Sequence, residues 1–469
     1  MVILRFLPLS WKAVNNMADF HLIEVPKFNL LALAEIFPKK EWFFLDSSLS
    51  PSTYGRYSFL GFNPEFTVKS TGNLIIKAKN DLEEKFYIPP FTYLKSVLAK
   101  IKKTSVNLPF PFKGGFVGYF AYDLGRTLEV LPSTAVDDLN LYDFYLGYYD
   151  TFVAVDHIND RYYAVSYQED KLQELLGYIE KSREFEVKPP TYPPAGEFSS
   201  NFTRENYEEI VRRAIEYIKA GDIFVVNLSQ RFTTDFNGDP WELYKHLRKI
   251  NPAPFAAYLH YPEFSVLSSS PERFLELRSG KVQTRPIKGT RPRGKTIAED
   301  LANRDELYNS QKDRAELTMI VDLERNDLGK VAKVGTVKVP ELYVLEQYAT
   351  VYHLVSTVTA ELAEGKDAID LLAATFPGGS ITGAPKIRAM EIIEELEGLR
   401  REIYTGCIGY IDVNGDMDLN IVIRTILVKN KKAYFGVGGG ITVDSDPTAE
   451  YLETLDKAYA LKKALKLLG

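Results

Sequence analysis

Through the first part of the chain, apolar and polar residues trade places in short runs. Phe116-Val117-Gly118-Tyr119-Phe120 and Asp150-Thr151-Phe152-Val153-Ala154-Val155 predict strands, and residues 171–178 predict a helix. At Lys188-Pro189-Pro190-Thr191-Tyr192-Pro193-Pro194-Ala195-Gly196 the pattern stops. Four prolines and a glycine in nine positions exclude helix and central strand, which leaves a stiff linker. Beyond it, helical spacing dominates. Thr203 is placed to cap a helix whose apolar face is Tyr207, Ile210, Val211, Ala214 and Ile218, with Gly221 as its stop. Further helices are predicted over 313–327, over 384–396 with Pro385 at its start and Gly398 past its end, and from Asp446-Pro447 to Leu468. Strands and helices interleave with no βα period and no internal repeat, so the fold class is α+β. Residues 1–187 form an N-terminal region, 188–196 the linker, and 197–469 the region with most candidate chemistry.

Composition narrows the partners. The chain has 469 residues, 45% hydrophobic and 13% aromatic, enough for a sizeable core. A net charge of −6 supplies no basic footprint for nucleic acid. No apolar run approaches the ~20 residues of a membrane span. The apolar start, Met1-Val2-Ile3-Leu4-Arg5-Phe6-Leu7-Pro8-Leu9, lacks a basic flank before it and a small-residue cleavage site after it, so no signal peptide is expected. The single cysteine, Cys407, excludes an internal disulfide and fits a reducing cytoplasm; its apolar surroundings predict a buried structural thiol.

Several residues invite chemistry, each with a plainer alternative. In Arg285-Pro286-Ile287-Lys288-Gly289-Thr290 a lysine sits in a Pro/Gly-punctuated turn, and Arg285, Arg291 and Arg293 around it disfavour an ammonium. It is either an amine nucleophile or part of a basic surface loop. Asp313 and Glu316 lie three apart on one helix, and Glu450 and Glu453 on another. These four acids are either two solvated faces or the oxygen ligands of a hard cation such as Mg²⁺. Gly436-Val437-Gly438-Gly439-Gly440 and Pro377-Gly378-Gly379-Ser380-Ile381-Thr382-Gly383 allow backbone amides to approach an anion, or are structural turns. His353 is a structural or a proton-handling histidine. Arg424, inside the apolar run Asn420–Ile426, predicts a strand arginine paired with a substrate carboxylate or an internal acid.

Taken in order, these segments resemble the chorismate-utilising enzymes. The resemblance covers essentially the whole chain. It is densest from Gly221-Asp222-Ile223-Phe224 onward, through Ser270-Pro271-Glu272-Arg273-Phe274, Ile320-Val321-Asp322-Leu323-Glu324-Arg325-Asn326-Asp327 and Gly383-Ala384-Pro385-Lys386. It implies large intertwined antiparallel sheets flanked by helices. Within the family, anthranilate-forming members (the alternative reading) carry alanine where Lys288 stands and tend to carry glutamine at Val225. Isochorismate- and salicylate-forming members place a lysine base at Val225. Lys288 and Val225 together, with Pro254-Phe255-Ala256-Ala257-Tyr258, match the branch that forms 4-amino-4-deoxychorismate on the way to 4-aminobenzoate and folate.

The resemblance further implies Mg²⁺ held chiefly by Glu316 and Glu453. Lys288 would attack chorismate at C2, with Glu272 as general acid for the departing C4 hydroxyl, and ammonia would then enter at C4. Arg424, Tyr404, Ser380 and the Gly438–Gly440 amides would anchor carboxylates, Thr290 would bond nearby, and His353 and Lys457 would complete the site. With no Cys-His-Glu glutaminase signature in the chain, ammonia is expected from a separate glutamine amidotransferase subunit, in a heterodimer. Around Leu45-Asp46-Ser47-Ser48 and Tyr57 the resemblance implies room for tryptophan, in a structural or a regulatory role, with Asp46 replacing the family's glutamate.

Overall fold

A run such as Trp42-Phe43-Phe44-Leu45 has no polar face to turn to water, and a strand of this kind is stable only when both its faces are covered. The computed structural model covers both. It describes residues 12–17, 20–38, 40–49, 54–80, 82–101, 103–348 and 351–468; the apolar start Met1–Leu9 lies outside them. Trp42 and Phe44 pack outward beneath helices with Leu172, Trp241 and Leu461, whereas Phe43 points inward to Phe59, Phe112 and Phe152. Phe116 and Phe120 likewise face an outer helical layer, and Val117 and Tyr119 the inner one. The inner cluster draws Phe43, Phe59 and Val266 from one sheet and Tyr119, Ile408 and Tyr410 from the other, so two sheets stack face to face. Each large side chain so buried contributes roughly 1.5–3 kcal/mol.

The first sheet runs Lys12–Met17, Phe20–Val25, Arg161–Ser166, Thr151–Asp156, Tyr57–Phe62, Trp42–Asp46, Phe255–His260, Phe264–Ser270, Thr425–Lys429, Lys432–Ile441, Val225–Asp235, Ser199–Ser200. The second runs Ile287–Pro292, Val351–Glu361, Lys281–Thr284, Arg273–Arg278, Met417–Asn420, Cys407–Asp412, Gly115–Phe120, Phe144–Tyr149, Phe66–Thr71, Leu74–Lys79, Leu82–Tyr87. Neighbouring strands are antiparallel, as in Trp42–Asp46 against Phe255–His260 and Gly115–Phe120 against Cys407–Asp412. Each sheet therefore joins a block of strands from before the proline-rich segment to a block from after it, at one seam: Trp42–Asp46 on Phe255–His260 in the first sheet and Gly115–Phe120 on Cys407–Asp412 in the second. That segment has neither helix nor strand from 185 to 198, yet Tyr192 within it is buried and its hydroxyl donates to the Ala464 carbonyl at 2.6 Å.

The predicted helices form with small shifts. Thr203 caps Arg204–Ala220 by accepting from the Asn206 amide at 3.2 Å, and Gly221 ends it at φ 84°. The helix predicted from Ala384 begins at Lys386, because Gly383–Ala384 pairs as a short strand with Val225–Val226; Pro385 is its cap. The last helix spans Pro447–Leu465, capped by Asp446. No described helix is long and apolar enough to cross a membrane.

Candidate active site

The chain passes between the two sheets at neighbouring places. Ser270 ends a strand of the first sheet and Arg273 begins one of the second, so Pro271 and Glu272 form a crossing. Ile421–Arg424 makes the return crossing, from Asn420 to Thr425, and the Ile421 amide donates to the Glu272 carbonyl at 3.0 Å. Arg424 is thus not inside a strand, contrary to the expectation from its apolar neighbours. Ile421 and Val422 are buried because they fill the seam between sheets, and Arg424 turns off it at φ 53°.

Beside these crossings lies a cavity of about 420 Å³. Lys288, Glu272, Thr290, His353, Arg424, Tyr404, Ser380, Lys457, Gly438, Gly440, Asp313, Glu316, Glu450 and Glu453 all line it. Gly439 does not. An added methyl at Gly439 would lie 3.1 Å from Glu450 Oε2 and 3.2 Å from Glu453 Oε1, so this glycine packs beneath the two acids.

Lys288 stands on a strand, Ile287–Pro292, and not in the turn its proline and glycine neighbours suggest. Gly289 is the bulge of that strand: pairing with Val351–Glu361 shifts register between Lys288 and Thr290, and Gly289 holds φ 80°. A side chain at Gly289 would collide with Asp313 and Leu307, at 2.9 and 2.8 Å. The arginines around Lys288 are also not aimed at it. Arg285 is paired with Glu346 at 2.6 Å, Arg291 with Glu306 at 2.9 Å and Asp313 at 3.2 Å, and Arg293 with Asp300 at 2.7 Å. Lys288 Nζ donates to the Ser380 carbonyl at 3.2 Å and faces carboxyl groups instead. A methyl added to Gly440 would lie 3.5 Å from Lys288 Nζ, 3.8 Å from Val225 Cγ2 and 3.9 Å from Glu316 Oε2.

The acids do not behave alike. Burial pushes the Glu272 carboxyl above its usual range, against the opposing effects of a bond from Ser380 and the charge of Lys288. Burial also raises Glu316, which Lys288 and Lys312 oppose and Asp313 and Glu453 reinforce; Glu450 rises for the same reason, against a hydrogen bond from Ser445 at 2.6 Å. Burial would raise Glu453 too, but Lys457, 2.6 Å away, together with Lys288 and Lys312 outweighs it and the carboxyl ends below its usual range. Oxygen donors from two helices suit a hard cation. Among the described residues no three acidic, histidine or cysteine side chains converge into a complete metal cage, so a cation here would draw its remaining oxygens from substrate and water. Asp313 is committed to Arg291.

Lys312 was not foreseen. It stands one helical turn before Glu316, its Nζ 4.0 Å from Glu316 and 3.9 Å from Glu450, and the i,i+4 spacing alone pointed to it. Asn227, also on the cavity wall, had no signal in the sequence.

Arg424 has no carboxylate within ion-pair distance among the described residues; its Nη1 donates to the Lys457 carbonyl at 2.6 Å. Burial lowers its pKa, with Tyr404 and Glu453 opposing. A buried guanidinium without an acid is a receptor for an anion. Gly436 lets the Tyr404 ring lie against its strand, where a methyl would stand 2.4 Å from the ring.

A second, larger cavity of about 570 Å³ lies apart from this chemistry. Asp46, Ser47 and Tyr57 line it with Tyr54 and Phe255; Ser48 does not, its hydroxyl donating to the Ala253 carbonyl at 3.2 Å. Asp46 is held by Arg248 at 2.7 Å and by the Tyr244 hydroxyl at 3.1 Å.

A family model described as chorismate binding enzyme matches residues 47–463. Aminodeoxychorismate synthase component 1 of Klebsiella aerogenes is 44% identical over 420 residues, 88% of this chain and 91% of that protein. Anthranilate synthase component 1 of Aquifex aeolicus is 40% identical over 442 residues, covering 90% and 89%. Among solved structures, anthranilate synthase component I from Streptococcus pneumoniae superposes with TM-score 0.78 at 32% identity, covering 88% of this chain and 93% of that one.

Proposed function

The chain belongs to the chorismate-binding enzyme family, and within it we propose that it aminates chorismate at C4 to give 4-amino-4-deoxychorismate, the step that leads to 4-aminobenzoate and folate. One observation carries this reading. The Lys288 amine reaches into the same cavity as the buried acid Glu272, the carboxylates Glu316 and Glu453, and the acid-free Arg424.

The chemistry follows from those positions. Arg424, Tyr404 and the strand at Gly438 and Gly440 hold the carboxylates of chorismate. The unprotonated Lys288 nitrogen bonds to C2, the two conjugated ring double bonds move from C1–C2 and C5–C6 to C1–C6 and C4–C5, and the C4–O bond breaks. Glu272, whose carboxyl burial pushes above its usual range, gives its proton so that the hydroxyl leaves as water. Ammonia then bonds to C4, the double bonds return to C1–C2 and C5–C6, the Lys288 nitrogen departs, and a proton lost from the new amine restores Glu272. Glu316 and Glu453 would hold Mg²⁺, with Glu450 beside them; when bound it supplies Lewis-acid polarisation of the ring carboxylate. Val225, apolar and on the strand beside Gly440, offers no base to activate water. His353 stays neutral, since burial and the charge of Arg424 push it down to about 4.

Ammonia is supplied by a separate glutaminase. Support comes from relatives named as a component 1 and from Cys407, the single cysteine, which is buried with its thiol pushed well up by desolvation. The cysteine content also suits a cytoplasmic enzyme. The larger cavity, with its aromatic walls, would take tryptophan in a structural role, Asp46 being fixed by Arg248.

Incubation with chorismate, Mg²⁺ and ammonium at alkaline pH, followed by a separate lyase, tests the reading. The expected result is 4-aminobenzoate only after the lyase is added. Anthranilate without lyase, and no 4-aminobenzoate with it, would overturn it in favour of the anthranilate-forming branch.

A further inference from the structure

Behind the site, four residues before Lys288, the Thr284 hydroxyl donates to Glu324 Oε2 at 2.8 Å. Glu324 lies on the Gln311–Gly329 helix and is 8% exposed. Its Cγ is 3.7 Å from where a methyl on Gly379 would stand. Gly379 precedes Ser380, whose carbonyl accepts from Lys288 and whose side chain bonds to Glu272. The Glu324 side chain therefore bonds through its carboxyl to the segment leading to the amine and presents its Cγ to the turn that holds the acid.

We propose that Glu324 is a positioning residue for the amination, fixing the Lys288 strand against the Ser380 turn so that amine and Glu272 stay in register. This rests on the roles given to Lys288 and Glu272 above. Glu324 touches neither substrate nor reacting atoms; it acts through Thr284 and Gly379. A void of about 10 Å³, lined by Thr284, Glu324, Asp327, Thr375 and Gly379, lies at the same place.

The charge of Glu324 matters as well as its shape. The charged groups facing it are Glu272, Asp327 and Lys386, and Asp327 is itself paired with Lys330 at 2.9 Å and with Lys386. Burial pushes Glu324 up to about 8, the bond from Thr284 opposing and the two acids adding to the rise. Through neutral pH it is a neutral acid. Above about 8 it ionises and sets a negative charge near Glu272.

The test compares Thr284→Val, Glu324→Ala and Glu324→Gln in the full chain. Turnover of chorismate with ammonium is followed from pH 6.5 to 9.5, alongside the melting temperature. Thr284→Val and Glu324→Ala should each lose kcat by ~10–100-fold, with KM for chorismate changed less than ~3-fold. Glu324→Gln, which keeps the acceptor but cannot ionise, should recover much of that loss and erase the change in kcat near pH 8. Thr284→Val removes only a hydroxyl from a strand residue, so it keeps the test informative if Glu324→Ala does not fold. Folded variants with kcat within twofold of wild type, or losses confined to melting temperature, would overturn the proposal. Lys288→Ala and Glu272→Gln run beside them. If these two keep activity, the site reading has failed; if they abolish it while the Thr284 and Glu324 variants do not, only the positioning role has.

Discussion

Thr290 Oγ1 lies 2.9 Å from Nδ1 of His353, across the antiparallel pair that also carries Lys288. The bond fixes the ring in the cavity wall, where burial and Arg424 keep it neutral down to about pH 4. An imidazole held neutral while the unfolded chain takes a proton below about 6.5 makes stability fall as pH drops from 6.5 toward 4. His353→Asn should flatten that fall in urea midpoints measured at pH 5 and 7. In the wild type the His353 ring proton signal should titrate near 4; a midpoint near 6.5 would contradict the geometry.

Removal of the amine has two effects. Lys288→Ala should cut 4-amino-4-deoxychorismate formation by on the order of 10³-fold or more, since a nucleophile has no partial substitute. It also removes the positive charge that opposes the rise of Glu272 and Glu316, so both carboxyls should titrate higher. Product assay and carboxyl infrared bands report the two separately.

Glu316→Gln and Glu453→Gln should each weaken the Mg²⁺ dependence of activity and reduce the Mg²⁺-induced gain in melting temperature. Chelator should lower the wild type's melting temperature, and much less that of the double variant. An unchanged Mg²⁺ response in both variants would remove these residues from the cation site.

Arg424→Ala should raise KM for chorismate by ~10²-fold, the loss of about 2–3 kcal/mol expected when a buried charged hydrogen bond goes unmade. Arg424→Lys should recover little of it, because a point charge does not reproduce the guanidinium fork. Equal KM values for wild type and Arg424→Ala would show that the anion is held elsewhere.

The glycine strand separates fold from function. A methyl at Gly438 would stand 2.3 Å from the Leu228 carbonyl oxygen, backbone that cannot yield, so Gly438→Ala should cost roughly 2 kcal/mol or more of stability. At Gly440 the nearest atom is Lys288 Nζ at 3.5 Å, an ordinary contact. Gly440→Ala should fold normally and lose turnover. Denaturation midpoints and kcat, measured on both, distinguish the two.

Much of this was legible in the residues themselves. Thr203 and Gly221 bracket a helix by cap chemistry alone, as Asp446 and Pro447 start another. Local punctuation misled where two structures share one signal. Pro286 and Gly289 read as a turn, yet Gly289 is a strand bulge; Ile421 and Val422 read as a strand, yet they fill a seam between sheets. The position of Lys312 between Glu316 and Glu450, and the pairing of each arginine near Lys288 with an acid, depend on which helices and strands meet, information that no local period contains.

The joining of early and late strands at one seam in each sheet has a consequence for a cut chain. A protease nick within residues 188–196 would yield two polypeptides, but in each sheet a strand of one is hydrogen-bonded along its whole length to a strand of the other, and the two sheets bury one shared core. The pieces should run apart on a denaturing gel and emerge together from a sizing column. Neither should be recoverable alone as a folded body, whereas the two expressed as separate fragments should complement one another into one enzyme.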